Sequence, residues 1–374
     1  MTIERRNFLK TCAALCAAPV TLQSGLYNSI PALYPQKEHL VEAKYYDKLE
    51  NQKIQCKLCP RECVIDNLER GYCGVRENRD GIYYTLVHSQ AVTSHIDPIE
   101  KKPMFHFLPG EDAFSFATVG CNVECKFCQN WQISQIRPEQ TKNYFMPPKS
   151  IAVNAKKSKC KVIAYTYSEP VIFYEYMYET IIKGNEDGIK SVMISNGYIN
   201  PDPLKKLCSM ISGIKIDLKA ITDSFYKKYV SGELKPVLNS LVAIKNSGTW
   251  LEIVYLVIPT LNDSEKEFKD LAKWIKQNLG YDVPLHFTRF YPQYKLLNLP
   301  PTPINTLIKA KQIADSEGLN FVYVGNVPGN PSENTYCPKC KNILIERAGY
   351  HIKQNKIKNN RCYFCNNNIP GVFI

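Results

Sequence analysis

From residue 113 onward, short apolar runs rich in β-branched and aromatic residues alternate with longer stretches of helical periodicity. The runs lie at 113–119, 162–167, 191–195, 213–218, 251–258, 285–290 and 320–324. Between two of them, the stretch 266–279 places Phe268, Leu271, Ala272, Ile275 and Leu279 on one face at helical spacing. Ser264, followed three residues later by Glu267, supplies a capping box at its start. Comparable helical patterns occupy 170–182, 203–211, 236–246 and 304–316. Strand then helix, repeated at spacings of a few tens of residues, predicts parallel βαβ units. The expected fold class is α/β, with a partial or complete (β/α) barrel as the leading architecture and a doubly wound sheet as the alternative.

In such barrels functional side chains cluster at the C-terminal strand ends. Those positions carry Cys121, Cys125 and Cys128 after the first run, then Ser168 and Glu169, then Asn196 and Gly197. Asp217 and Lys219 end the fourth run, Asn262 follows the fifth, Arg289 ends the sixth, and Gly325 with Asn326 follow the seventh. Each alone could be a turn residue or a helix cap. Their recurrence along one end of the expected barrel points to a site there.

Composition narrows the class. The 374 residues are 44% hydrophobic and 22% charged, which is ordinary for a globular protein and argues against wholesale disorder. No apolar run approaches the ~20 residues a spanning helix needs, so no integral membrane span is expected. The start differs from the rest: Arg5 and Arg6 precede the apolar stretch 11–20, as in a Tat export leader. Residues 1–30 are therefore set apart as a leader or N-terminal segment. A cytoplasmic location is the leading expectation, with export or membrane association the alternative that the twin arginine raises.

Net charge is +12, and there are 15 cysteines, an odd number that prevents complete pairing. Eleven of them fall in three tight clusters. Clusters this close let several thiolates converge on one metal centre, and a chain this long does not need disulfides to build a core. Cys56, Cys59, Cys63 and Cys73 make a four-thiolate set that fits zinc or an iron–sulfur cluster. Cys337, Cys340, Cys362 and Cys365 form two knuckles joined by a segment suited to a hairpin, as in a zinc ribbon. Cys121, Cys125 and Cys128 have no fourth cysteine nearby. In a cubane, three thiolates would leave one iron open for an exogenous ligand. The other reading is a zinc site completed by Cys160, Cys208 or a histidine. The expected organisation is thus a four-cysteine module with linker at 31–110, a barrel at 111–330 and a four-cysteine ribbon at 331–374.

Cys121-x3-Cys125-x2-Cys128, placed after the first barrel strand, resembles the signature of radical S-adenosylmethionine (SAM) enzymes. The stretch from Asp97 to Gly110, Cys128-Gln129-Asn130-Trp131, Tyr165-Thr166-Tyr167-Ser168-Glu169-Pro170, Gly325-Asn326 and the C-terminal cysteine pairs resemble one branch of them. That branch is the AmmeMemoRadiSam system radical SAM enzyme, related to pyruvate formate-lyase activating enzymes. The likeness runs over roughly residues 50–374. It implies a [4Fe-4S] cluster on Cys121, Cys125 and Cys128, with SAM chelating the open iron. It also implies reductive cleavage of SAM to a 5′-deoxyadenosyl radical that takes hydrogen from a substrate. Ser168, Glu169 and Pro170 stand where relatives carry a glycine-glycine-glutamate-proline motif that engages the SAM amino group, with Tyr167 and Ser168 in place of the glycines. Asn196, Asp217 and Lys219 match positions that line the SAM pocket in activating-enzyme relatives, and Arg289 is a candidate to neutralise a carboxylate. For Asp217 and Lys219 a buried ion pair is the competing reading. An electron donor of flavodoxin or ferredoxin type is implied, and a protein is one candidate for the unknown substrate.

Two other functions remain in view. A glycyl-radical-enzyme activase would share the chemistry, but no ferredoxin-like pair of clusters follows Cys128, since the next cysteine is Cys160. A nucleic-acid-binding ribbon would use the basic tail: 331–374 holds seven Lys and Arg against two Glu. No base-reading motif accompanies that charge, so nucleic acid is the less favoured partner.

Overall fold

The alternation of apolar runs and helical stretches becomes an eight-stranded sheet in a computed structural model that describes residues 40–373. Arg5, Arg6 and the rest of the leader-like segment 1–30 lie outside the described residues. The strands are β1 (Thr93–Pro98), β2 (Asp112–Ala117), β3 (Val162–Tyr165), β4 (Lys190–Ser195), β5 (Gly213–Asp217), β6 (Trp250–Val257), β7 (Leu285–Arg289) and β8 (Val322–Gly325). From β2 to β8 each strand pairs in parallel with the next, while β1 lies antiparallel on β2. The sheet ends at β1 on one side and β8 on the other. This is the partial (β/α) barrel.

The crossover helices are α1 (Pro148–Lys157), α2 (Tyr174–Glu186), α3 (Pro201–Cys208), α4 (Leu234–Ser247), α5 (Glu265–Leu279) and α6 (Ile304–Ser316). In α5 the five apolar residues named from the sequence are all buried, and the Ser264 side chain accepts from the Glu267 N–H at 3.2 Å. A hydroxyl there satisfies one of the four free N–H groups of the first turn, worth about 1 kcal/mol. The 170–182 stretch begins differently from expectation. Pro170–Phe173 forms a 3-10 turn, capped by the Glu169 carboxylate at the Val171 N–H, before α2 starts.

Residues between β1 and β2 close the N-terminal end of the barrel. The Phe105 and His106 N–H groups donate to the two oxygens of the Glu252 carboxylate, each at 2.9 Å. His286 Nε2 and Trp250 Nε1 reach the same carboxylate at 2.8 and 3.0 Å. Four partners make burial of this charge tolerable. Gly213 lets the segment approach closely, because a Cβ there would stand 3.0–3.1 Å from Met104 and Phe107.

The C-terminal hairpin, β9 (Ile343–Ala348) with β10 (His351–Asn355), is antiparallel. Leu344, Ile345, Ile357 and Ile369 pack with Phe105, Phe321 and Tyr323 of the barrel in one apolar cluster. Burying each such aliphatic side chain contributes roughly 1.5–3 kcal/mol. The N-terminal module consists of short antiparallel strands, including Ile54–Cys56 paired with Tyr46–Lys48 and Val64–Ile65. Arg76, 1% exposed, ties it to α2 through Glu175 at 2.5 Å and the Ile172 carbonyl at 3.0 Å. Among the described residues, no helix is long and apolar enough to cross a membrane.

Candidate active site

The loop after β2 carries Cys121, Cys125 and Cys128 into a cleft of about 410 Å³ at the C-terminal end of the strands. It is fastened from several sides. The Glu124 and Lys126 N–H groups donate to the Val230 and Tyr229 carbonyls, both at 2.9 Å. Gln135 Nε2 donates to the Val123 carbonyl at 3.2 Å. Gly120 has a φ of +96°, and a Cβ there would stand 2.6 Å from Val75 Cγ1 and 2.9 Å from the Cys73 carbonyl. Only glycine serves at that turn.

Burial pushes the Cys121 and Cys128 thiols up and Cys125 up to about 12. Burial thus favours the neutral thiols, and holding all three as thiolates would take a bound cation. The residues around it fit an added ligand as well. Ser168 Oγ is buried in the cleft wall without a hydrogen-bond partner. A buried hydroxyl with no protein partner is available to bond a ligand that enters the cleft.

Glu169, 2% exposed, follows β3. Its carboxylate accepts from Ser195 Oγ at 2.6 Å, the Asn196 N–H at 2.9 Å and the Val171 N–H at 3.1 Å. Burial pushes its pKa up to about 7 despite these donors. Asn196 follows β4. Its amide nitrogen donates to Asn122 Oδ1 at 2.9 Å and approaches Cys121 Sγ at 3.8 Å, so it touches the thiol loop directly. Asp217 at the end of β5 lies between two ammonium groups, those of Lys215 and Lys219, the latter at 3.1 Å. Burial alone would raise the Asp217 carboxyl, but the two lysines override it and hold it at about 2. The ion-pair reading of Asp217 and Lys219 is therefore present, and both residues still line the cleft.

Ser168, Glu169, Asn196, Asp217 and Lys219 are thus gathered around the three cysteines, as is Asn326. Arg289 is not among the lining residues. Thr288 takes the inward position on β7, and strand alternation turns Arg289 the other way. There its guanidinium donates to the Thr302 carbonyl at 2.8 Å and Tyr291 Oη at 3.1 Å. Asn262 is also spent on backbone: its side chain bonds Ile258, Leu256 and Lys219 main-chain groups.

Lys215 and Lys102 are among the lining residues that the sequence does not single out. Lys215 shares the inward face of β5 with Asp217, two positions away, a charged residue inside an apolar run. Lys102 enters from the segment after β1, bonded to Asp97 at 2.6 Å and Tyr167 Oη at 3.2 Å. Nothing local in the sequence foretells its reach.

The other two cysteine sets lie outside the cleft. Cys337, Cys340, Cys362 and Cys365 bring four sulfurs within 4.8 Å of one another, with Cys337–Cys365 at 3.6 Å and Cys340–Cys362 at 3.7 Å. The Asn342 backbone and side chain pull the Cys340 thiol down to about 6. Cys56, Cys59, Cys63 and Cys73 line one small pocket with Arg61, Arg76 and Tyr83.

An open parallel barrel whose cleft is lined by three cysteines, all on the loop after its first parallel strand, offers a metal centre a thiolate set one ligand short of four. The family model described as "Radical SAM superfamily" matches residues 116–275, the span from β2 through α5. That span carries a radical SAM domain. It is 43% identical to an uncharacterized protein of Methanocaldococcus jannaschii over 333 residues, covering 88% of this chain and 99% of that one. It is 22% identical to the pyruvate formate-lyase-activating enzyme of Clostridium pasteurianum, covering 48% of this chain and 77% of that one. Among solved structures, a domain of a pyruvate-formate lyase-activating enzyme from Bacteroides vulgatus aligns with TM-score 0.40 and 13% identity, over 44% of this chain and 98% of that one. SuiB of Streptococcus suis, bound to S-adenosylmethionine, aligns with TM-score 0.46 and 13% identity, over 61% of this chain and 53% of that one.

Proposed function

We propose that this protein is a radical SAM enzyme of the AmmeMemoRadiSam type, acting on a substrate that enters the barrel cleft. The observation that carries the reading is that Cys121, Cys125 and Cys128 line one cleft together with a buried, donor-bound Glu169 at the C-terminal strand ends. A [4Fe-4S] cluster on the three thiolates would supply one electron to split SAM into methionine and a 5′-deoxyadenosyl radical that takes hydrogen from substrate. Glu169 would bind the SAM amino group, its carboxylate already oriented by Ser195, Asn196 and Val171. Ser168 would give its free hydroxyl to the same ligand. Asn196 would fix the thiol loop against this end of the pocket. Lys215 and Lys219 keep Asp217 ionised, so that its charge and theirs form a fixed polar wall. Val254, Leu256 and Ile194 supply the apolar part of that wall and displace water from the reacting volume.

A protein substrate and a flavodoxin or ferredoxin donor belong to this proposal. So does zinc in the C-terminal set. Four thiolates bonded at about 2.3 Å to one tetrahedral ion stand about 3.8 Å apart. The 3.6 and 3.7 Å pairs match that edge. The activase reading draws on the Clostridium pasteurianum relative alone.

The test is spectroscopic. The anaerobically reconstituted, dithionite-reduced protein is expected to show an electron paramagnetic resonance signal that shifts when SAM is added. Cys125→Ala should lose the part of the signal that responds to SAM. An unshifted signal with saturating SAM would overturn the assignment of the open iron.

A further inference from the structure

The N-terminal cysteine set lies directly behind the loop that carries Cys121. Cys121 and Val123 line the large cleft, whereas Asn122 between them lines the pocket shared by Cys56, Cys59, Cys63 and Cys73. The Cys73 carbonyl packs against Gly120, and Arg61 Nε donates to the Asn122 carbonyl at 2.5 Å. A single thickness of backbone therefore separates the two thiol sets.

The sulfur arrangement also differs from that of the C-terminal site. Among the described residues, the cysteine group whose sulfurs all lie within 4.8 Å of one another is Cys337, Cys340, Cys362 and Cys365. The N-terminal four surround a pocket and do not draw together to that spacing. One ion holds its four thiolates on edges of about 3.8 Å. A cubane binds each thiolate on a separate iron and keeps the sulfurs farther apart. Four ligands also occupy all four irons, leaving none open to SAM. Such a cluster can carry electrons and cannot perform the ligand chemistry of the cleft.

We propose that Cys56, Cys59, Cys63 and Cys73 hold a second [4Fe-4S] cluster that passes single electrons to the cluster on Cys121, Cys125 and Cys128. The step moves one electron and no atoms. The N-terminal cluster goes from the 1+ to the 2+ state, and the cleft cluster from 2+ to 1+. A low-potential one-electron protein donor, of flavodoxin or ferredoxin type, then re-reduces the N-terminal cluster. The presence of this site does not depend on SAM cleavage. Only the identity of its redox partner rests on the function proposed above.

The test uses the full chain with C121A/C125A/C128A, which leaves the N-terminal module untouched. After anaerobic reconstitution, the variant is expected to keep about four irons and four sulfides per chain, against about eight of each in the wild type. No iron and an extra zinc in the variant would overturn the second cluster. The iron count reads the same whether or not the wild type cleaves SAM, so the two readings fail separately. Electron exchange is read in the reduced wild type. Its resonance should be broadened by coupling between two nearby spins, and the variant should show a single uncoupled signal. A wild-type spectrum equal to the sum of two independent signals would overturn the relay.

Discussion

Replacing Glu169 by Gln separates its binding role from its structural one. The carboxylate, 2% exposed, takes three donors: Ser195 Oγ and Val171 N on one oxygen, and Asn196 N on the other. Glutamine has the same shape but only one acceptor oxygen, and its amide nitrogen can only donate. Whichever way the amide turns, at least one of these donors faces another donor. A buried donor left unmet costs about 1–3 kcal/mol, so the thermal midpoint should fall by roughly 1–4 °C in a chain of this size. If Glu169 also holds the SAM amino group, a hydrogen bond to its charged carboxylate, worth about 1.5–3 kcal/mol, is lost there too. That weakens SAM binding roughly 10- to 150-fold. Burial sets the carboxyl at about 7, so wild-type affinity should decline as pH falls through 7, while E169Q stays flat. The assay is anaerobic titration calorimetry with SAM on the reconstituted protein, with E265Q on the exposed face of α5 as control. A folded E169Q with a lowered midpoint and SAM affinity within twofold of wild type would refute the binding role.

Three further outcomes are expected. Burial lowers the His106 pKa from the usual 6.5 to about 4, so between those values the unfolded chain takes up a proton that the folded chain refuses. Stability is then lost as pH falls, on the order of 2 kcal/mol between pH 7.5 and 5; chemical denaturation should show this loss, and H106Q should lack that part of it. Arg76→Met leaves the buried Glu175 carboxylate without its guanidinium and should cost about 3–5 kcal/mol, most of it recovered in R76M/E175M; equal losses in both would contradict the ion-pair account. Cys362→Ser should remove about one zinc per chain and open 343–355 to protease, leaving the iron content unchanged; unchanged zinc would contradict the C-terminal assignment.

The parallel strands were legible because each is covered on both faces and so reads as a continuous apolar run. Their observed bounds fall within two residues of those read from the sequence. Other elements gave weaker signals. α1 buries only Ile151, Ala152 and Ala155, and two alanines hardly register as a hydrophobic stripe. β1 is an antiparallel edge strand with the polar sequence Thr93-Ser94-His95-Ile96-Asp97-Pro98, and nothing in its alternation marks it as part of the main sheet. Within the site, residues that follow strand ends could be placed because topology brings those ends together. Lys102 could not, since it approaches through space from the closing segment. Arg289 shows the limit of reading strand ends without parity. One residue earlier, at Thr288, the chain faces the cleft, and one residue later it faces away. The separate character of the two four-cysteine sets was also hidden, because spacing along the chain does not report distances between sulfurs.

The central claim is that the cleft cleaves SAM by one-electron reduction, and product analysis tests it most directly. The protein, reconstituted anaerobically with iron and sulfide, is given SAM and dithionite, and the mixture is resolved by chromatography with mass detection. The account predicts 5′-deoxyadenosine and methionine in equal amounts, both absent with C125A. A fully loaded wild-type protein that yields neither product would contradict it.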